Sequence, residues 1–385
     1  MDSQIDEFRP GAKIEEWLHS CIRCGTCKYQ FLEYSPSCPS GDHFGFESYF
    51  ASGRIWLARG LKTSQIEWDE SLIDPIFACT TCGACEVQCH APHKEHIVEL
   101  IEDLRALAVE NIGAVAAHEK FRKSIEEKYN PYDAVHHNRE LVKIHDLPDH
   151  ADTVLFVGCT SNYRENQIRD AAISVLKKAR AEFTIADERC CGSPLIRTGQ
   201  RELVRGLAKH NTEAIQAVGA SRLVTTCAGC YRTLSLDYQK LNHDLGVSIL
   251  HITNLLEELL GTGALAIEES SNLGHVAYHD PCHLGRHMGE YESPRRILSM
   301  LPVKLVKMTG REKENAWCCG AGGGAKAAYG EWAVETAGKR IHQAVEAGAD
   351  ILVSTCPFCS RNLRDASGSS GVQVIDLIEL VDRVT

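Results

Sequence analysis

The period of apolar positions changes near residue 150. Upstream, "IVELIEDLRALAVENIGAVAAHEKFRKSIEEKY" (Ile97–Tyr129) places hydrophobic residues every three or four positions, the spacing of a helix with one buried face. With the preceding "GFESYFASGRIWLARGLKTS", it predicts a mostly helical first region. The pattern breaks in "NPYDAVHHNRELVKIHDLPDHAD", where Pro131, Pro148 and mixed polar residues interrupt it. Beyond that point short β-branched runs take over: "DTVLFVGC", "SRLVTTCAGC", "GHVAYHDPC" and "DILVSTCPFC". Each reads as a buried strand that ends at a cysteine. Helical stretches such as "IRDAAISVLKKARA" and "ETAGKRIHQAVEAGA" lie between them. Strands alternating with helices imply parallel sheets, and ligands collect at the carboxyl ends of such strands. The expected class is therefore α+β and multidomain, with a helical front and an α/β, Rossmann-like back.

Composition narrows the function. The 385 residues are 44% hydrophobic and 24% charged, enough for two or three domains with ordinary cores. A formal charge of −11, from 41 basic and 52 acidic residues, and the lack of a polybasic strip argue against nucleic acid as a partner. No stretch approaches the roughly 20 apolar residues of a membrane helix, and the start does not resemble a secretory signal. The expected location is cytoplasmic, with membrane association only through a partner. In a reducing compartment, eighteen cysteines are better suited to metal binding or catalysis than to structural bridges.

The cysteines fall into sets of eight, five and five. In the front set, Cys21, Cys24 and Cys27 are followed by Cys38, and Cys79, Cys82 and Cys85 by Cys89. Two Cys-x-x-Cys-x-x-Cys runs resemble the two-cluster ferredoxin arrangement, in which the fourth cysteine of each run serves the other run's cluster. That resemblance implies one 4Fe-4S cube on Cys21, Cys24, Cys27 and Cys89, and another on Cys79, Cys82, Cys85 and Cys38. Two departures stand out: ten residues separate Cys27 from Cys38, and His90 stands where proline usually follows the last ligand. Zinc also takes Cys-x-x-Cys pairs, but it would leave the third cysteine of each run idle.

The other ten cysteines repeat. Cys159, Cys190, Cys191, Cys227 and Cys230 are separated by gaps of 30 and 35 residues; Cys282, Cys318, Cys319, Cys356 and Cys359 by gaps of 35 and 36. Such regularity marks a duplicated unit, whose loops would bring five thiolates to one crevice per repeat. Five is one more than a cube uses, so the adjacent pair either bridges irons in a larger or distorted cluster or keeps one cysteine in reserve. Neighbouring cysteines rarely bridge each other, because the geometry strains a disulfide. In "WCCGAGGG" the glycines suit close backbone approach to an inorganic cluster. The alternative, a phosphate loop, lacks its Lys-Ser or Lys-Thr ending, since Lys326 falls too late.

Written as Cys, Cys-Cys-Gly, Cys-x-x-Cys, the two sets resemble the paired CCG domains of the heterodisulfide reductase family, and "HDPCHLGRH" and "CCGAGGG" are particularly close to it. The front resembles that family's ferredoxin-like subunit, and the order resembles the fused version, the D-type subunit. Related electron-transfer proteins occur in sulfate reducers and in the class II benzoyl-CoA reductase complex. The resemblance implies three units, 1–150 with two cubane clusters and two CCG domains at 151–270 and 271–385. It further implies four 4Fe-4S clusters, two cubane and two noncubane, each noncubane one held by all five cysteines of its set. The ten CCG cysteines would then be the catalytic ones, cleaving the disulfide of coenzyme M and coenzyme B between the two clusters.

Such chemistry is self-consistent: a disulfide takes two electrons, and two one-electron centres supply one each. His279, His283 and His287 are candidates for protons or hydrogen bonds, or simply for loop support. Arg286 and Lys326 could offset cluster charge or lie in solvent. Without a GxGxxG turn, NAD or FAD belongs on a partner. The implied partners are other redox subunits, whether flavin-containing, ferredoxin or cytochrome b-like donors, and a disulfide substrate. Two further readings remain: an electron-transfer module of a larger complex without disulfide reductase activity, and a quinone-linked dehydrogenase subunit like those of glycolate or lactate oxidase.

Overall fold

The computed structural model describes residues 8–30, 33–268 and 273–385. Among the described residues of the front region, the regular elements are helices, the longest being Ala51–Lys62, Ile97–Ile112 and Ala116–Lys128. Ile97–Ile112 buries Ile97, Leu100, Ile101, Leu104 and Ala108, the three- and four-residue stripe of the sequence, against Ile14, Ile55, Ile76 and Phe77.

The back region holds two parallel four-stranded sheets of one topology. β1 (Thr153–Phe156), β2 (Phe183–Thr184), β3 (Arg222–Thr225) and β4 (Ser248–His251) are ordered β2-β1-β3-β4. β5 (His275–Tyr278), β6 (Lys304–Leu305), β7 (Ile351–Ser354) and β8 (Gln373–Asp376) repeat this as β6-β5-β7-β8. Their ladders are parallel, as the alternation of strands and helices predicts. The central strands β1 and β7 are buried along their whole length, which explains why they read as continuous apolar runs. The duplication reaches the caps: the helices after β4 and β8 both begin with a capping box, His251 with Asn254 and Asp376 with Glu379.

The two halves clasp each other reciprocally. Helix Asn166–Lys178, which follows β1, packs on the last helix of the second half, Leu377–Val384. Its counterpart Glu292–Met300, after β5, packs on the last helix of the first half, Ile252–Gly261. This exchange of equivalent contacts is that of a pseudo-two-fold axis. Each of the two large cores draws residues from both sheets, so the halves share their interior: Leu223 with Leu352 in one, Leu155 with Val276 in the other.

Candidate iron–sulfur centres

In each sheet the thiols follow three of the four strands. Cys159 lies just beyond β1, and Cys227 and Cys230 flank the turn after β3; Cys282, Cys356 and Cys359 hold the matching places after β5 and β7. The Cys190–Cys191 and Cys318–Cys319 pairs sit on the loops that leave β2 and β6. All eighteen cysteines are free thiols.

Within each repeat the five sulfurs meet. In the first, Cys159 is in hydrogen-bonding reach of Cys190, Cys190 of Cys191, Cys191 of Cys230, and Cys230 of Cys227. In the second, Cys356 reaches Cys359, Cys359 reaches Cys319, and Cys318 reaches both Cys319 and Cys282. The two groups touch, because Cys227 also lies beside Cys356. At the far end Cys318 reaches Cys82 of the front region. An unbroken line of thiols thus runs from the front region through the second repeat into the first.

The front thiols form two groups. Cys38 and Cys85 lie within electrostatic range of Cys79 and Cys82, whereas Cys89 lies near Cys21 and Cys24, and Cys27 near Cys21 and Cys89. The group containing Cys82 is the inner one. In the outer group Cys24 is exposed, alone among the eighteen. Burial pushes the Cys38 thiol up to about 12 and that of Cys85 well above its ordinary value. Buried thiols of this kind stay protonated unless a metal takes them as thiolates.

Comparison with known proteins follows the same division. Residues 17–92 match the 4Fe-4S dicluster domain, and residues 153–235 and 276–364 match the cysteine-rich CCG domain. The D-type subunit of the dihydromethanophenazine:CoB–CoM heterodisulfide reductase of Methanosarcina acetivorans is 38% identical over 94% of this chain and 93% of its own length. This chain belongs to the family of heterodisulfide reductase D-type subunits. It is an iron–sulfur oxidoreductase subunit, and its relatives come from several multi-subunit redox systems. The B-type subunit of the CoM/CoB fumarate reductase of Methanothermobacter marburgensis is 33% identical over 95% of this chain and 72% of that protein. EtfAB:quinone oxidoreductase of Syntrophomonas wolfei is 27% identical over 94% and 58%. A hypothetical protein from Helicobacter pylori, of known structure, shares the fold with a TM-score of 0.58 at 10% identity, covering 97% of this chain and 72% of that one.

The surroundings of the thiols in this heterodisulfide reductase relative fit an iron–sulfur group. One ring nitrogen of His279 and the sulfurs of Cys319 and Cys359 all lie within 4.8 Å of one another. Arg340 Nε donates to His279 Nδ1 at 3.2 Å, which leaves the ring proton on Nε2, a buried atom without a protein partner. Nε2 of His283 and of His287 are likewise buried and unpartnered. Burial, with Arg340 and Arg197 as the next causes, lowers His279 to about 3 and His283 to about 4; burial and then His283 hold His287 well below its ordinary value. Two of the rings reach sulfur: His279 lies beside Cys319 and Cys359, and His283 Nδ1 lies 3.4 Å from Cys282 Sγ.

The glycine run also serves close approaches within the chain. A Cβ on Gly320 would sit 2.4 Å from the Ala333 carbonyl oxygen, on Gly322 2.6 Å from that of Thr80, on Gly323 2.4 Å from that of Cys79, and on Gly324 2.4 Å from His118 Nε2. Gly322 and Gly323 let the loop after Cys318–Cys319 lie directly on the Cys79–Thr80 loop, while Gly320 clears the helix Gly330–Glu346 of its own repeat and Gly324 clears His118; these are approaches of chain to chain. Gly199 of the first repeat does the same from the other side, where a Cβ would meet the Arg105 carbonyl carbon at 2.5 Å.

The two candidate cations part ways. Arg286 turns inward and donates to the carbonyls of Cys82 (2.7 Å) and Ala316 (2.8 Å). Lys326 pairs with Asp365 at 2.5 Å and with the Asn362 side-chain oxygen at 2.6 Å, partners on helix Pro357–Ser367. Unforeseen from sequence, Arg197 is buried between Glu102 (2.6 Å) and Asp237, tying the front helix to the first repeat.

Proposed function

We propose that this chain is the disulfide-reducing subunit of a redox complex, acting on a mixed disulfide of two thiol cofactors as its D-type relatives are named for doing. What carries this reading is the contact between Cys227 and Cys356, which puts the two five-thiol groups side by side in one interior. In this reading residues 1–150, 151–270 and 271–385 form the front unit and two Rossmann-like CCG units. Cys21, Cys24, Cys27 and Cys89 hold the outer cubane cluster, and Cys38, Cys79, Cys82 and Cys85 the inner one. Cys159, Cys190, Cys191, Cys227 and Cys230 hold one noncubane cluster, and Cys282, Cys318, Cys319, Cys356 and Cys359 the other.

When bound, these clusters supply one-electron carriers and irons able to hold a released sulfur. The chain's part is to order the four sites, exclude water from nine of the ten CCG thiols, which are buried, and leave Cys159 half-buried at the accessible end. Cleavage consumes one disulfide, two electrons and two protons and yields two thiols. Donor proteins with flavin, ferredoxin-type or cytochrome b-type groups would deliver the electrons, and the protein would work in the cytoplasm or at a membrane through such a partner. No helix among the described residues is long and apolar enough to cross a membrane.

Purified protein given reduced viologen and the coenzyme M–coenzyme B heterodisulfide should oxidise the dye with two electrons per disulfide, and should contain about sixteen irons. If the dye stays reduced while the iron is present, the disulfide reading is lost. The second reading, an electron-transfer module without disulfide activity, then stands, favoured by the likeness to EtfAB:quinone oxidoreductase.

A further inference from the structure

Three arginines surround the inner group of Cys38, Cys79, Cys82 and Cys85, and each spends its guanidinium on main-chain carbonyls. Arg54, fully buried, donates to the carbonyls of Pro75 (2.7 Å), Ala78 (2.7 Å) and Tyr49, and to Ser40 Oγ (2.8 Å). Arg105, also fully buried, donates to Ile76 (3.2 Å), Phe77 (2.8 Å) and Cys79 (2.7 Å), and then outside the front region to Arg197 (2.6 Å) and Gly323 (2.8 Å). Arg286, from the second repeat, donates to Cys82, Ala316 and Glu314. None of the three forms an ion pair with a carboxylate among the described residues. Carbonyl dipoles alone leave a buried unit charge costly, by several kcal/mol per ion, so the arrangement calls for an anionic counterpart. The nearest candidates are the thiols themselves: Arg54 acts on Cys38, Arg105 on Cys79, and Arg286 on Cys82, Cys282 and Cys318.

Among the described residues the outer group has no such ring. Arg23 and Arg59 flank the Trp56 ring at 5.0 and 4.7 Å, and Arg23 is exposed to water, which screens it. Two of the inner arginines also bind the ligand loop to the second repeat. Arg105 joins Cys79 to Gly323, just after the Cys318–Cys319 pair, and Arg286 joins Cys82 to Ala316, just before it. The two loops are thus pinned at both ends, around the contact of Cys82 with Cys318.

We propose that Arg54, Arg105 and Arg286 set the inner ferredoxin-type centre above the outer one in potential, and that Arg105 and Arg286 also fix its distance to the second-repeat centre, making it the junction through which electrons pass inward. This rests on the ligand sets of the preceding subsection. The step served is the passage of one electron from the reduced inner centre to the oxidised second-repeat centre; no bond forms and no proton moves. Fixed positive charge near a cluster favours its reduced, more negative form. The three are positioning residues, since they act through backbone and field.

The test is a redox titration of the whole chain followed by electron paramagnetic resonance, with the outer signal identified by its loss in Cys24→Ser. Arg286→Met is expected to lower the inner midpoint by about 59 mV, a tenfold change in its reduction equilibrium, while moving the outer midpoint by less than a third as much. Arg286→Lys keeps the charge and loses the fork: its midpoint should stay within a twofold change in that equilibrium, while freeze-quenched transfer to the second repeat slows about tenfold. Arg105→Met should act like Arg286→Met; should it fail to fold, the half-buried Arg286 carries the test. Equal shifts of both midpoints, no shift of the inner one, or identical behaviour of the Lys and Met variants overturns the proposal. Wild-type protein with far fewer than sixteen irons overturns the ligand sets instead, so the two failures are told apart.

Discussion

The first and second repeats hold their five thiols alike and differ in nearly everything around them. The second repeat faces inward: Cys318 meets Cys82, Gly322 and Gly323 lie on the Cys79–Thr80 loop, Arg286 acts on Cys282 and Cys318, and Arg340 donates to His279, one of whose ring nitrogens lies near Cys319 and Cys359. The first repeat faces outward. Its Cys159 is half-buried, and the Glu188 carboxylate, two residues before Cys190, accepts from the amides of Val157 and Gly158 at 3.1 and 2.7 Å with no cation bound to it among the described residues. The matching residue before Cys318 is Ala316. Duplication kept the arrangement of the five thiols, and divergence set one copy against the front region and left the other with its half-buried Cys159.

Disabling one repeat at a time should separate the two most strongly. Cys318→Ser should lose about four of sixteen irons and leave the first-repeat centre unreduced when electrons are supplied to the front region. Cys159→Ser should cost at most as much iron but leave the second-repeat centre fully reducible from the front. Both should abolish viologen-driven disulfide cleavage, so spectroscopy of the remaining centre, rather than turnover, is the measurement that orders them. Reduction of the first-repeat centre in Cys318→Ser would show that electrons do not need the inward-facing repeat.

A second difference lies in how the front region grips each repeat. Guanidinium-to-carbonyl bonds reach both, Arg105 to Gly323 and to Arg197, and part-exposed ion pairs reach the second, His43 with Glu335 at 3.0 Å and Lys339 with Asp42; among the described residues the first alone is also held by a buried ionic cluster, in which Arg197 joins Glu102 to Asp237, with Arg232 at 3.1 Å from Asp237 and Arg201 at 2.8 Å from Asp103. Removing one partner from a buried pair strands the other and typically costs about 3–5 kcal/mol. Arg197→Met should therefore lower the unfolding free energy by about that amount in a denaturant titration. Burial raises the Glu102 carboxyl despite Arg197, so Glu102→Gln should cost clearly less than Arg197→Met. Equal losses would mean that the network is held by each link alone.

The parallel sheets, the duplication and the grouping of thiols by repeat were all legible from the sequence, because each is written in local spacing: β-branched runs ending at cysteines, and matching gaps between them. What was not legible depends on contacts between distant segments. Nothing local says that Cys227 meets Cys356, or that each repeat's helix packs on the other's last helix. Charge misleads in the same way. Nothing in the sequence singles out Arg54, Arg105 and Arg197, since arginine is rarely buried, and only the assembled carbonyls and carboxylates show why these are. The glycines of "WCCGAGGG" announced close approach, and one thing that Gly322 and Gly323 approach, the Cys79–Thr80 loop, lies some 240 residues away in the chain.

A milder pair of substitutions tests where the repeats should still agree. Gly206 lies in helix Val204–Ala217 and Gly338 in helix Gly330–Glu346, the helices that precede β3 and β7. Neither has a positive φ, and a Cβ at either would meet nothing within 4 Å. At such helical positions alanine restricts the unfolded chain without straining the folded one, stabilising by about 0.5–1 kcal/mol. Gly206→Ala and Gly338→Ala should each raise the melting temperature slightly and by similar amounts, and their effects should add, since the helices belong to different halves. Two unequal shifts would mean that divergence has reached the scaffold as well as the walls of the sites; equal ones confine it to the loops at the strand ends, where the thiols are.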